Sequence, residues 1–189
     1  MKAPTMNRKP TRPTSTVVCA AAACLLAGLL VGSPARAHIT IATPAVAAGS
    51  YAKVVLQVPH GCAGRATTAI SVTLPAGFYV AKPQPKPGWT VTTQKARLAQ
   101  PIELHGRQIE ESVSQIRWEG GPLPNDFFDE FALQGKLGSD VTGPLAFKTL
   151  QSCEQGEAAW TGEPGSSLPA PLLQVTPAPA AAGTHHHQH

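Results

Sequence analysis

The chain has 189 residues, with 15 Lys and Arg against 11 Asp and Glu and a formal charge of +4. Five of the basic residues lie in the first 37, so the remainder is close to neutral, with ten basic and eleven acidic residues. This balance leaves no basic stripe for nucleic acid, and no later apolar run approaches the roughly 20 residues of a membrane span. The length suits one domain with a sizeable core.

Residues 1–37 have the three parts of a secretory signal peptide. A basic segment precedes the apolar run 17–31, and the small-residue pattern Ala35-Arg36-Ala37 follows it. Cleavage after Ala37 would make His38 the amino terminus of an exported protein, periplasmic or secreted. We therefore expect a signal peptide over 1–37 and a mature chain that has no integral membrane segment and begins at His38.

After residue 37 the chain alternates apolar and polar residues in short runs that end at Pro and Gly. This pattern is typical of a β-sandwich. The predicted strands, in chain order, cover 39–41, 50–58, 67–74, 89–93, 112–118, 131–137, 145–151 and 158–161. They define a domain over residues 38–164.

Three further segments have their own character. Residues 82–89 carry Pro at alternate positions and are predicted to form an extended edge or crossover, since Pro cannot donate to a ladder. The apolar residues of 95–111 fit neither the two-residue period of a strand nor the 3.6-residue period of a helix. This segment is interpreted as a hairpin arm. From 165 to 189 the chain is rich in Ser, Pro and Ala, which predicts a disordered tail. The terminal HHHQH is interpreted as a metal-binding segment of low specificity, with an affinity-tag remnant as the alternative.

Two cysteines, Cys62 and Cys153, remain after the signal. An even pair in an oxidising compartment indicates a disulfide. The alternative is a thiolate copper site, which needs nearby His or Met partners. His60 is the only close candidate, and no Met follows residue 37, so the disulfide is the favoured prediction.

A histidine at the amino terminus has a chemistry that an internal histidine lacks. The free α-amine and the imidazole Nδ1 of His38 could chelate one metal ion together, and imidazole nitrogen suits Cu(II). Two nitrogens do not complete a site. The pattern therefore predicts half of a metal centre and leaves its other ligands open.

Several blocks of the chain resemble the YcnI-like family of exported copper-binding proteins, long catalogued as a domain of unknown function. The blocks are HITIATPAVAAGSY (38–51), VPHGC (58–62), TTAISVTLPAGF (67–78), KPQPKPGW (82–89), PLPNDFFDEFALQGKL (122–137) and QSCEQGEAAW (151–160). The resemblance implies an immunoglobulin-like or cupredoxin-like β-sandwich. It also implies one Cu(II) per domain in a monohistidine brace, made of a terminal His, a Glu carboxylate and a Trp beside the metal.

Carried over to this chain, the resemblance implies the metal-site residues His38, Glu130 and Trp160. Asp129 and Glu119 are the alternatives for the carboxylate. On the residues alone, Glu130 would be a solvated strand residue and Trp160 an aromatic of the core or of the sandwich edge. The other two tryptophans, at 89 and 118, are assigned to packing.

The function predicted from the sequence is Cu(II) handling and delivery without turnover, so the protein is not expected to be an enzyme. One alternative is a copper-dependent oxygenase that uses the brace, which a second ligand such as His60 would favour. The other is a metal-free interaction module of the cell envelope. The resemblance further implies copper-resistance membrane proteins or periplasmic copper chaperones as partners.

Overall fold

The computed structural model describes residues 38–179, and all regular structure in this range is strand. The strands are β1 Thr40–Ile41, β2 Val46–Ala47, β3 Tyr51–Val58, β4 Thr67–Thr73, β5 Phe78–Pro83, β6 Trp89–Leu104, β7 Arg107–Leu123, β8 Asp129–Leu137, β9 Leu145–Ala146, β10 Lys148–Cys153, β11 Glu157–Trp160, β12 Leu172–Leu173 and β13 Val175–Thr176. The predicted signal peptide and the final ten residues, 180–189, lie outside the described range.

Two antiparallel sheets form the body of the domain. The first has the strand order β1-β3-β8-β5, and the second has the order β11-β10-β4-β7-β6. Two short strand pairs, β9 with β12 and β2 with β13, lie outside these two sheets. The segment 165–179, which contains β12 and β13, is called the C-terminal margin. The all-β prediction is thereby confirmed, and β1 and β11 are edge strands of their sheets.

Alternation along the strands decides which side chains enter the core. In β3, for example, Val54 and Leu56 are fully buried, whereas Tyr51 and Lys53 face outward, as the two-residue period of a strand requires. The largest fully buried side chains come from both sheets and from the C-terminal margin: Trp118, Phe131, Phe147, Ile39, Leu56, Ile70, Ile116, Leu133, Leu137 and Leu173.

The hairpin arm is confirmed. Strands β6 and β7 pair from Trp89–Gly120 out to Leu104–Arg107. The two residues between them, His105 and Gly106, both have positive φ, at 52° and 72°, as a type I′ hairpin turn requires. An irregular register between Arg97 and Ile102 accounts for the weak periodicity of this segment in the sequence.

Strands β5 and β7 differ from the sequence prediction. Strand β5 begins at Phe78, in a stretch that was not predicted as a strand, because Gly77 and the prolines that follow hide its short apolar pattern. Strand β7 continues through Gly120 and Gly121 to Leu123, beyond the predicted strand end at residue 118. A Cβ on Gly121 would lie 2.5 Å from the Trp89 ring, so the glycine serves close packing there.

The predicted disordered tail is wrong over 165–179. Strands β12 and β13 lie in this segment and pair with β9 and β2, and the side chain of Leu173 is fully buried. The low apolar content of 165–179 concealed its contribution to the core. Three or four apolar side chains are enough to order such a segment when each one packs into a core built by other strands. The domain therefore extends beyond the predicted boundary at 164.

The disulfide prediction is confirmed: Cys62 and Cys153 are bonded, with their Cα atoms 5.9 Å apart. The bond joins the loop after β3, in the first sheet, to the end of β10, in the second. It therefore clamps one end of the sandwich. Within residues 38–179 no helix is long and apolar enough to cross a membrane.

Candidate metal centre

His38 lies against Trp160 at the edge of the sandwich. The two ring centroids are 5.8 Å apart and the ring planes are inclined by 77°, which is an edge-to-face contact. His38 lies two residues before the start of β1, the edge strand of the first sheet, and Trp160 ends β11, the edge strand of the second. Two residues separated by 122 positions in the sequence thus meet where the sheets close on each other.

Ile39 anchors the start of β1, because its side chain is only 2% exposed and belongs to the core. The neighbouring His38 is partly buried and lines an open cavity of about 490 Å³. The opposite wall consists of residues 164–166 and 169–172. The imidazole is therefore held in place on one side and accessible on the other.

Trp160 meets His38 through its ring, and its nitrogen is bonded elsewhere. Its side chain is 4% exposed, and its indole Nε1 donates a 3.0 Å hydrogen bond to Oε1 of the buried Gln151. A nitrogen committed to an internal acceptor cannot serve as a metal ligand. The arrangement suits a tryptophan that stands beside a bound cation and attracts it through the ring face.

Glu130 lies on the exposed face of the first sheet, two strands away from β1. In register, Thr40 faces Gln57 and Gln57 faces Glu130. Gln57 accepts from Thr40 Oγ1 at 3.4 Å and donates to Glu130 Oε1 at 3.2 Å. Adjacent strands lie about 4.8 Å apart, which puts the Cα of Glu130 about 10 Å from that of Thr40.

The structure therefore brings His38 and Trp160 into contact, and it connects Glu130 to β1 through Gln57. For Glu130 and His38 to share a metal ion, the carboxylate must leave Gln57 and extend across β3. Glu130 is exposed, so solvent leaves room for that movement. Its role as a ligand stays a prediction.

The two alternative carboxylates are both held by cations. Asp129 forms a 2.6 Å salt bridge with Lys86. Glu119 accepts two hydrogen bonds from Arg117, at 2.9 and 3.2 Å, and lies on β7 in the second sheet. These hydrogen bonds and the nearby guanidinium charge lower the pKa of the Glu119 carboxyl. Either residue would have to give up an ion pair in order to bind a metal, whereas Glu130 would give up a neutral amide.

The other described histidines make contacts of their own. The Nδ1 of His60 is hydrogen-bonded to the carbonyl of Gly61, and the His60 carbonyl accepts from Gln151 at 2.7 Å. His105, at the tip of the arm, stacks on Tyr51 and shares a 2.9 Å hydrogen bond with its hydroxyl. His105 faces the start of β3, whereas His38 lies near the end of that strand.

The donor chemistry fits a copper ion. No group of three or more His, Cys, Asp or Glu side chains within residues 38–179 has the arrangement of a metal site. A monohistidine brace does not need three such side chains. A terminal His38 would supply two nitrogens, and one carboxylate would be the only further ligand. Nitrogen and oxygen donors of this kind suit Cu(II).

Sequence reasoning missed Gln151 and the cavity wall formed by 164–172. A signal for Gln151 was present, because it lies two residues before Cys153 and must face the same way in a strand. A glutamine on the inward face of a strand is a buried polar residue that needs partners. The cavity wall had no such signal, since its prolines and glycine resemble those of any loop.

The fold has a solved counterpart. The chain is similar to a protein from Nocardia farcinica whose crystal structure is described as revealing an immunoglobulin-like fold. The TM-score is 0.58 at 25% identity, over 74% of this chain and 98% of that one. The immunoglobulin-like form of the predicted β-sandwich is thereby confirmed.

Residues 38–180 match the family described as Domain of unknown function (DUF1775), and the chain belongs to this family. The match begins at His38, the residue at which the mature chain is predicted to start. The chain is also 27% identical, over 160 residues, to the copper-binding protein CutI of Bacillus subtilis (strain 168). That alignment covers 83% of this chain and 71% of the relative. The resemblance seen in the sequence blocks is confirmed by the family match and by the similarity to CutI.

Proposed function

We propose that this protein is exported, that removal of residues 1–37 exposes the amine of His38, and that the mature chain binds one Cu(II) ion there. The His38 amine and imidazole supply two nitrogens, Glu130 supplies a carboxylate, and Trp160 covers the ion without ligating it. The observation that carries the proposal is the contact between His38 and Trp160, because it joins the first residue of the family domain to a buried aromatic ring.

The protein then acts as a carrier that holds Cu(II) and passes it on. Copper is its cargo, and the partners we propose are copper-resistance membrane proteins or periplasmic copper chaperones. A metal ion binds the deprotonated forms of an amine and an imidazole, so its binding releases protons and the affinity depends on pH. The carrier role predicts no sustained oxidation of substrate when the loaded protein is given ascorbate and oxygen.

The test compares two proteins that differ by one residue at the amino terminus. One begins at His38 and the other carries an additional Ala before it. In both, the four histidines at 185, 186, 187 and 189 are replaced by Gln, because the tail could supply a false site. We expect Cu(II) to bind the first protein at one equivalent and to quench its tryptophan fluorescence. The extended protein should lose this tight site, and equal affinity in the two would contradict the proposal.

The carboxylate is tested separately with Glu130→Gln. A ligand should matter at least as much as an outer-shell partner, whose loss weakens metal binding by about 10- to 100-fold. Glu119→Gln is the matched control and should leave the affinity unchanged, because Glu119 is bonded to Arg117 on the second sheet. Unchanged affinity in Glu130→Gln would remove this residue from the site and leave the His38 chelate standing.

A further inference from the structure

The amide of Gln151 has three hydrogen-bond partners within the sandwich. Its Oε1 accepts from the Trp160 indole at 3.0 Å. Its Nε2 donates to the carbonyl of His60 at 2.7 Å and to Oγ1 of Thr67 at 2.8 Å. A glutamine amide has one acceptor oxygen and two N–H donors, so both ends of this side chain are engaged.

These contacts lie away from water. Gln151 is 1% exposed, Thr67 is fully buried and Trp160 is 4% exposed. An amide buried without partners is costly, by about 1–3 kcal/mol on mutational evidence. Rotating the Gln151 amide by half a turn would oppose its NH₂ group to the indole N–H and its oxygen to the His60 carbonyl. The surroundings therefore allow one orientation of the amide.

The backbone of Trp160 belongs to a short edge strand. Strand β11 has four residues and pairs with β10 alone, at the edge of the second sheet. Ladder hydrogen bonds locate the Cα of Trp160, but they leave open how the indole ring is turned. The bond from Nε1 to Gln151 supplies that constraint, because only one edge of the ring carries an N–H.

The other partners of Gln151 come from segments that the disulfide joins. His60 lies two residues before Cys62, and Thr67 Oγ1 lies 3.8 Å from Cys153 Sγ. The amide thus connects the Trp160 ring to the two segments clamped by the Cys62–Cys153 bond. The orientation of the Trp160 ring is thereby linked to the two segments that the disulfide joins.

We infer that Gln151 is the positioning residue of the copper centre, which turns the Trp160 ring toward His38 and keeps the indole N–H directed away from the metal. The inference deepens the proposed function and rests on it for the identity of the metal, whereas the ring geometry stands on the contacts alone. Gln151 acts through Trp160 and does not itself touch the ion.

The test uses Gln151→Met in the mature chain that begins at His38, with Gln134→Met as the control. Methionine keeps most of the side-chain volume and loses all three hydrogen bonds, whereas Gln134 lies on the exposed face of β8. Two readouts are followed: the indole N–H resonance of Trp160 in the metal-free protein, with its hydrogen-exchange rate, and the affinity and fluorescence quenching on titration with Cu(II).

In Gln151→Met the Trp160 indole resonance should shift and its N–H should exchange at least about tenfold faster. The indoles of Trp89 and Trp118 serve as internal references and should not change. Cu(II) affinity should fall by about 10- to 100-fold, the usual effect of losing an outer-shell partner. A purely structural role for Gln151 would lower the unfolding midpoint and leave both native-state readouts unchanged, which would overturn the inference.

If Gln151→Met does not fold, Thr67→Val removes one of the three anchors and should move the same resonance in the same direction by a smaller amount. An unchanged Trp160 resonance in that variant would also overturn the inference. Failure of the wild-type protein to bind Cu(II) would instead contradict the proposed function, and the metal-free indole measurements would still decide whether Gln151 orients the ring.

Discussion

The two ends of the sandwich are held together in different ways. At the end that carries His38, a disulfide and a buried amide join side chains from both sheets. At the other end, the β6–β7 arm pairs mainly with itself, and its tip meets the body through the exposed pair Tyr51 and His105. Covalent and buried polar links restrict side-chain orientation, whereas a lone hairpin ladder restricts mainly the backbone. The end with the restricted side chains is the one at which we propose the metal site.

Among the variants that test this difference, removal of the disulfide should cause the largest change in the free energy of unfolding. Replacing Cys62 and Cys153 together by Ala releases a loop of 91 residues, and its closure entropy predicts a loss of about 4 to 5 kcal/mol in the free energy of unfolding. Urea unfolding measures the loss, and wild-type protein treated with dithiothreitol should show the same change. A loss below about 1 kcal/mol would mean that the clamp is not what stabilises this end.

A truncation in the C-terminal margin should cause the second largest loss of stability. Leu173→Ala removes a fully buried side chain, and such truncations cost about 2–5 kcal/mol. Gln174→Ala is the control, since the Gln174 side chain is exposed and its carbonyl, which accepts from Val46, is retained. Equal stability of the two variants would show that residues 165–179 contribute little to the core.

A substitution at the tip of the β6–β7 arm should lower the stability by a smaller amount. Tyr51→Phe removes the hydroxyl that is bonded to His105 while keeping the stacked ring. An exposed hydrogen bond contributes at most about 1 kcal/mol, and Cu(II) binding at the opposite end should not change. Urea unfolding together with a Cu(II) titration checks both statements. Weaker copper binding in this variant would show that the two ends are coupled.

Glu119→Gln should have the smallest effect, and that effect should depend on pH. The pKa of Glu119 is lowered in the folded protein by hydrogen bonds from Arg117. The stabilisation is therefore present above the ordinary glutamate pKa of about 4.3 and is lost as the pH falls through the lowered folded value. Wild type should be slightly more stable than the variant at neutral pH and equal to it in strong acid. A gap that widens in acid would contradict this assignment.

The strands show how far pattern reasoning reaches. Long alternating runs such as Tyr51–Val58 were predicted almost to the residue, because a two-residue period has one interpretation when one face is buried. Short or glycine-rich strands such as Phe78–Pro83 and Leu172–Leu173 were missed or called disordered. Their burial depends on partners more than 20 residues away, and a local window does not contain those partners.

By itself the sequence predicted the all-β class and favoured the Cys62–Cys153 disulfide, both of which are confirmed, and it singled out His38 as the candidate metal ligand, which stays a prediction. These follow from local period, residue type and the apparent cleavage site. Only the tertiary structure decided that Trp160 reaches His38, that its indole donates to Gln151, and that Gln57 stands between β1 and Glu130. The reason is that edge strands of two different sheets meet through long-range packing, which no spacing along the chain encodes.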